Sequence, residues 1–277
     1  MKKLGIIAAA GGLPRAIAQS VTATGGAVHI LALRGSADES WVADFPHDWI
    51  SLGEPGRVIK SFKAAGVSDI IMAGKIERPK FSEIKLDTKG VMVLPRIIAA
   101  ARKGDDALLR AMVEIFEAEG LHTLSVAEAA PGLVADASPL GKITPNEDHI
   151  KDMAQAFAIV RALGALDVGQ AAVVCEGLAL AVEAAEGTDA MIARVGNLKD
   201  NLRGTIDKKR GVLVKALKPT QDARTDMPVI GVATVRGAHA VGLAGIGLEA
   251  GASLIVGKSE VAAEADRLGL FIVGVHP

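Results

Sequence analysis

The chain has 277 residues, half of them apolar and 3% aromatic, with a formal net charge of −1. That length suits two domains. A near-neutral charge implies no bulk attraction to nucleic acid, and a single cysteine, Cys175, excludes a disulfide framework or a cysteine zinc site within one chain. No apolar run reaches the ~20 residues that span a bilayer, and Leu4–Ala10 turns into Gly11-Gly12 too soon for a secretory signal, so a cytoplasmic protein is expected.

In chain order, Leu4–Ala9 reads as a buried strand, followed by the turn Gly11-Gly12-Leu13-Pro14 and a helix over Pro14–Thr24. Strand, glycine turn and helix together point backbone N–H groups at an anion. The full G-x-G-x-x-G spacing is missing, so a plain βα turn stands beside that reading. Val28–Leu33 and Trp49–Leu52 read as further strands, then a helix over Gly56–Ala65 and a strand over Asp69–Ala73. Lys75 follows the carboxyl end of that strand, where open α/β sheets bind ligands; it is a candidate phosphate contact or an ordinary surface lysine. Val91–Ala101 is a strongly apolar helix interrupted at Pro95, expected in the core, with a lipid-tail groove as the weaker alternative. Asp105 and Asp106 open the helix Ala107–Glu119, Asp105 as its N-cap and Asp106 as a second cap or a residue approaching a cation. Leu121–Val126 reads as one more strand. Alternating strands and helices predict a parallel, doubly wound sheet.

Domain limits follow from composition: an N-terminal α/β domain over 1–133, a Pro/Gly/Ala/Asp-rich linker over 134–144, and a C-terminal α/β domain over 145–277. Thr144-Pro145-Asn146-Glu147 has the form of a capping box opening a helix to about Leu163. A strand over Ala171–Cys175 and an apolar run over Leu178–Ala185, with Glu183 inside it, come next. Thr188 caps the following short helix, or Glu186 and Asp189 flank its N-terminus and face a ligand. Asn197–Arg210 is a charged loop, and the chain closes with helices over Ala233–Ala240 and Val261–Leu268 and a strand over Phe271–Val275.

The richest chemistry lies in Val212–Gly231. A strand, Val212–Val214, runs into Lys215, Lys218 and Pro219; with Pro228 that proline argues against a helix between them. In an extended chain Asp222, Arg224 and Asp226 would share one face. Two carboxylates with neighbouring Arg and Lys suit a divalent cation on polyphosphate oxygens; a solvated charged turn is the alternative. Gly251–Ser259 imitates a P-loop but has one residue too many between its glycines, and its Leu254-Ile255-Val256 favours strand. The histidines show no metal-ligand spacing.

Gly11-Gly12-Leu13-Pro14, Gly104–Arg110, Asp167-Val168-Gly169-Gln170, Glu183–Asp189 and Lys218–Pro228 together resemble the LpxI family of UDP-2,3-diacylglucosamine pyrophosphatases, enzymes of lipid A biosynthesis in Gram-negative bacteria. The likeness covers essentially the whole chain, with Ala10 standing where another glycine is expected. It implies a Rossmann-like N-terminal domain and a C-terminal α/β domain with the ligand between them. It also implies hydrolysis of the substrate's phosphoanhydride to UMP and 2,3-diacylglucosamine 1-phosphate, Mg²⁺, and a homodimer. The catalytic set it implies is Asp222, Asp226 and Arg224, with Asp222, Asp226, Asp189 and Glu186 as metal ligands. Substrate would be bound by Gly11, Gly12, Leu13, Pro14, Lys75, Asp105, Asp106, Gln170, Thr188, Lys215, Lys218 and Gln221. With no basic amphipathic helix legible, membrane contact is expected to be weak and peripheral at most. A non-catalytic nucleotide or sugar-phosphate binder is the alternative function. An NAD-dependent oxidoreductase is disfavoured by the missing glycine spacing.

Overall fold

A computed structural model describes residues 3–76, 84–219 and 222–277. They fall into two compact units, Met1–Gly132 with Asp222–Asp226, and Leu133–Gln221 with Met227–Pro277.

The first unit runs β1 (Lys3–Ala8), α1 (Leu13–Ala23), β2 (Ala27–Leu33), α2 (Glu39–Val42), β3 (His47–Ile50), α3 (Pro55–Ala64), β4 (Val67–Ala73), α4 (Thr88–Ala101), α5 (Asp105–Glu117), β5 (His122–Thr123) and α6 (Val126–Ala129). Its sheet is wholly parallel in the order β3-β2-β1-β4-β5. Central β1 is buried on both faces, as an unbroken apolar run in a covered parallel sheet should be. Gly5 lets the Phe62 ring of α3 lie on the strand, since a Cβ there would come within 2.6 Å of it.

Three expectations fail in this unit. The predicted strand Leu121–Val126 stops at Thr123, because Ser125 and Glu128 form a reciprocal capping box that starts α6 instead. Asp105 does not cap α5: Gly104, at φ 123°, is the N-cap, and Asp105 is the first helical residue. Helix α4 is not a core helix, for only Gly90 and Ala101 of its 14 residues are buried. It begins on the side chain of Asp87, which accepts from Gly90 N–H at 2.7 Å and Arg57 N–H at 3.0 Å.

The second unit holds α7 (Glu147–Ala165), β6 (Ala171–Cys175), β7 (Leu178–Val182), α8 (Thr188–Gly196), β8 (Val212–Lys215), β9 (Val229–Ile230), α9 (Val232–Ala240), β10 (Gly245–Glu249), β11 (Leu254–Ile255), α10 (Lys258–Leu268) and β12 (Phe271–Val275). Its five-stranded sheet, β12-β10-β8-β6-β7, is mixed: β12, β10 and β8 are parallel, while β6 opposes both β8 and β7. Period-two alternation splits the core. Val173, Leu213, Ile246 and Ile272 face α8, α9 and α10, while Val174, Val212, Val214 and Val273 face α7. The β6–β7 turn, Glu176-Gly177, has positive φ at both residues, and Asp152 of α7 accepts both their N–H groups at 2.9 and 2.8 Å.

The stretch read as a linker is stapled to this unit. Val134 bridges to Leu254, Pro139 bridges to Val273, and Leu140 N–H donates to Ile272 O at 2.9 Å. The α7 capping box is shifted two residues from the predicted one: Asn146, not Thr144, is the N-cap, reciprocated by His149. The P-loop look-alike contains β11, paired with β9, and α10 starts after Gly257.

Candidate functional site

In the first unit the strand order places β1 beside β4, the point where connections leave to opposite sides and open a crevice at the carboxyl ends. The glycine turn and Lys75 meet there. Ala10 N–H donates to Lys75 O and to Ser36 Oγ, each at 3.2 Å, and Lys75 N–H returns to Ala10 O at 2.9 Å. Gly74 has φ +99°, and a Cβ on it would lie 2.7 Å from Ala10 O, so only glycine permits this closeness. Gly11, at φ +95°, has no atom within 4 Å of where its Cβ would be. Helix α1 starts on Gly12, which has no side chain to cap its first N–H groups, with Pro14 in its first turn. Asp106 is buried in the first turn of α5, and Asp105 beside it is exposed.

The segment Asp222–Asp226 is a turn, not the extended strand expected from its flanking prolines. Thr225 N–H donates to Asp222 O at 2.9 Å, and Asp222 Oδ1 accepts Arg224 N–H at 3.0 Å, the local bond by which Asp nucleates turns. Arg224 then folds back on Asp222, Nε to Oδ1 at 3.0 Å and Nη2 to Oδ2 at 2.7 Å, while Nη1 reaches Glu117 Oε1 of α5 at 2.7 Å. That bidentate guanidinium holds the Asp222 carboxyl below its ordinary range, against the opposing effect of burial, with Arg110 helping. Asp222 and Arg224 therefore do come together, by a tight turn and a long side chain. Among the described residues no group of three or more His, Cys, Asp or Glu is placed to hold a metal ion.

In the second unit, Gln170, Thr188 and Lys215 gather around a residue assigned no role from the sequence, Glu183. Lys215, 5% exposed at the end of β8, donates from Nζ to Thr188 Oγ1 at 2.8 Å and to Val229 O at 3.1 Å. Thr188 Oγ1–H donates to Glu183 Oε1 at 2.6 Å, and Glu183 Oε2 accepts Gln170 N–H at 3.1 Å. A buried cation and a buried carboxylate are thus joined through one hydroxyl. Thr188 is available for this because Gly187, at φ 79°, is the N-cap of α8 in its place, another correction. Gly169 permits the approach, since a Cβ there would meet Glu183 O at 2.1 Å. The Gln170 side-chain oxygen is buried without a hydrogen-bond partner among the described residues. The signal that could have found Glu183 is an acid inside an apolar run, followed within six residues by Glu186, a helix start and Asp189.

The remaining candidates are placed as follows. Lys218 Nζ meets Asp167 Oδ1 at 2.6 Å. Glu186 is held by Arg194 at 2.8 Å, and Asp189 lies in the first turn of α8. Gln221 lies outside the described residues.

The fold and these polar sets define an α/β protein of two units, one with a glycine βα turn at its switch point and one with a lysine–threonine–glutamate chain whose charged ends are buried. The family profile described as the LpxI N-terminal domain matches residues 3–133, and that described as the LpxI C-terminal domain matches residues 136–273. The chain belongs to the LpxI family. A protein of Caulobacter vibrioides named UDP-2,3-diacylglucosamine pyrophosphatase LpxI is 46% identical over 277 residues, covering 100% of this chain and 99% of that one. Among solved structures, a UDP-N-acetylglucosamine 4-epimerase from Bacillus cereus aligns over 42% of this chain and 32% of its own at 16% identity, with a TM-score of 0.24, too low to carry an argument.

Proposed function

We propose that this protein hydrolyses the phosphoanhydride bond of UDP-2,3-diacylglucosamine, adding water across it to release UMP and 2,3-diacylglucosamine 1-phosphate on the way to lipid A. The observation that carries the reading is full-length identity of 46% to a relative named for that substrate. Cytoplasmic residence and a homodimer are part of the same proposal. Among the described residues no helix is long and apolar enough to cross a membrane.

Anhydride hydrolysis asks for neutralised phosphates, an aligned water and a stabilised leaving phosphate. Asp222 and Asp226 are assigned to orient the water. Arg224, gripping Asp222 bidentately, keeps that carboxylate ionised and fixed. Lys218 and Arg224 are assigned to phosphate oxygens, each now seen beside a carboxylate with which a phosphate would share it. The α1 N-terminus and Lys75 are assigned to the uridylyl side, Lys215 and Thr188 to positive charge in the second unit.

The cation proposed at the Asp222 turn is Mg²⁺, which keeps several waters and binds through one or two carboxylates plus substrate phosphate; in the structure both Asp222 oxygens are taken by Arg224, so a cation would have to share them. Asp222 and Asp226 would hold it; Glu186 is engaged by Arg194. When bound, the cation would neutralise charge on the phosphates.

The test is UMP release from UDP-2,3-diacylglucosamine, with and without EDTA. Asp222→Ala and Asp226→Ala, made separately, are each expected to lose about a hundredfold to a thousandfold in turnover while melting normally. No UMP from the unaltered protein would leave the ligand-binding alternative standing. Near-normal rates in both variants would overturn the carboxylate assignment.

A further inference from the structure

Helix α4 is apolar in composition and uncovered in place. Val91 and Met92 are 59% and 71% exposed, and Pro95 and Ala99 continue the exposed stripe one and two turns on. Val93, Leu94, Ile97 and Ile98 are only partly covered, where the helix leans on α5 and α3. Cations border the stripe. Residues 85–103 contain Lys85, Lys89, Arg96, Arg102 and Lys103 against one carboxylate, Asp87, whose oxygens serve the α4 cap and Arg57 N–H. Lys89 pairs with Glu119 and Arg96 with Glu114. Lys85, Arg102 and Lys103 are exposed and make no ion pair among the described residues.

We propose that α4 is the surface by which this protein rests on an anionic lipid leaflet. An in-plane helix of this kind lowers its apolar stripe among the acyl chains while its flanking cations meet lipid phosphates. The occupant is chosen by charge. A second copy laid on α4 would meet like charge at both ends in either direction, since Lys85 and Lys89 precede the stripe and Arg102 and Lys103 follow it. A single lipid tail needs a groove, whereas an exposed helix stripe is convex. The proposal takes its purpose from the reading above, in which a diacylated substrate must be collected from a bilayer; its geometry stands without that reading.

The experiment is co-sedimentation of the full chain with vesicles of phosphatidylcholine and phosphatidylglycerol, and with vesicles of phosphatidylcholine alone, at low and high salt. Binding is expected to the anionic vesicles and to weaken with salt. Met92→Asp should reduce the partition coefficient about tenfold or more, and Arg102→Gln and Lys103→Gln about fivefold each. Leu178→Asp, at an exposed site on β7, should leave it unchanged. Melting curves, and UMP release from a short-chain, water-soluble substrate, check that each variant is folded. No binding of the unaltered protein to anionic vesicles overturns the proposal, as does an unchanged partition coefficient in all three α4 variants. Without vesicle binding, a raised KM for soluble substrate in Met92→Asp would give the stripe to the substrate's own tails. A dimer-to-monomer change in light scattering would give it to a second copy. Vesicle binding without hydrolysis would remove the proposed function and leave this surface intact; hydrolysis without vesicle binding would do the reverse.

Discussion

At the switch point of the first unit, polar contacts are made by backbone. Ala10 and Lys75 exchange main-chain bonds, Gly74 brings the two strand ends into contact, and α1 presents N–H groups that no side chain caps. In the second unit the corresponding density of polar groups is made by side chains, Lys215, Thr188 and Glu183, all linked in one buried chain. A backbone site is sensitive to any added atom and indifferent to most charge changes. A side-chain site is the opposite: it tolerates shape but demands that its charges stay balanced.

The sharpest way to break this contrast is at Lys215. Lys215→Met would remove the buried ammonium that reaches the Glu183 carboxylate through Thr188, and should cost about 3 kcal/mol or more in a denaturant titration. Adding Glu183→Gln to that variant should restore much of the loss. If the double variant is no more stable than the single one, charge balance is not what holds this region. Next in size comes the backbone. Gly74→Ala combines a positive φ with a clash against Ala10 O, and should cost about 2 kcal/mol, whereas Gly11→Ala, with open space around it, should cost about 1 kcal/mol. Equal losses would mean that the close approach of the strand ends is not structural.

The smallest effect is an acid one and separates the units by pH. Glu264 of α10 is bridged by Arg236 and Arg267, which hold its carboxyl from the ordinary 4.5 down to about 2. A depressed folded value means that its contribution is complete above about 4.5 and is lost as pH falls toward about 2. Amide exchange in α9 and α10 should accelerate across that window. The Asp222 turn should loosen below the ordinary aspartate range for the same reason, its guanidinium partner being Arg224. Exchange rates that are flat with pH in both places would discount both ion clusters.

Much of the fold was readable because buried strands announce themselves: the runs at β1, β2, β6 and β12 are largely apolar and bounded by turn residues. Caps were less readable, because neighbouring residues compete for them. Thr144 and Asn146 both precede good helix formers, and Asn146 prevails through His149. Apolar composition alone could not say that α4 faces outward, since covering a helix depends on what the sheet leaves exposed. At the site, residue types were legible and conformation was not. Asp222, Arg224 and Asp226 were recognisable as a set, but only the fold reveals that Arg224 turns back on Asp222. Glu183 stayed hidden because a buried acid gains its meaning from partners brought in by the fold, Gln170 and Thr188, the latter carrying the link on to Lys215.

The turn at Asp222–Asp226 packs with the first unit, although the chain on either side of it belongs to the second. Neither half of the gene, cut near codon 133, would therefore encode a self-sufficient module. The front half would lack Asp222, Arg224 and Asp226, and the back half would carry an arginine whose Glu117 partner had been left behind. Recombination between relatives should tolerate breakpoints poorly there, and Glu117 and Arg224 should be inherited as a pair.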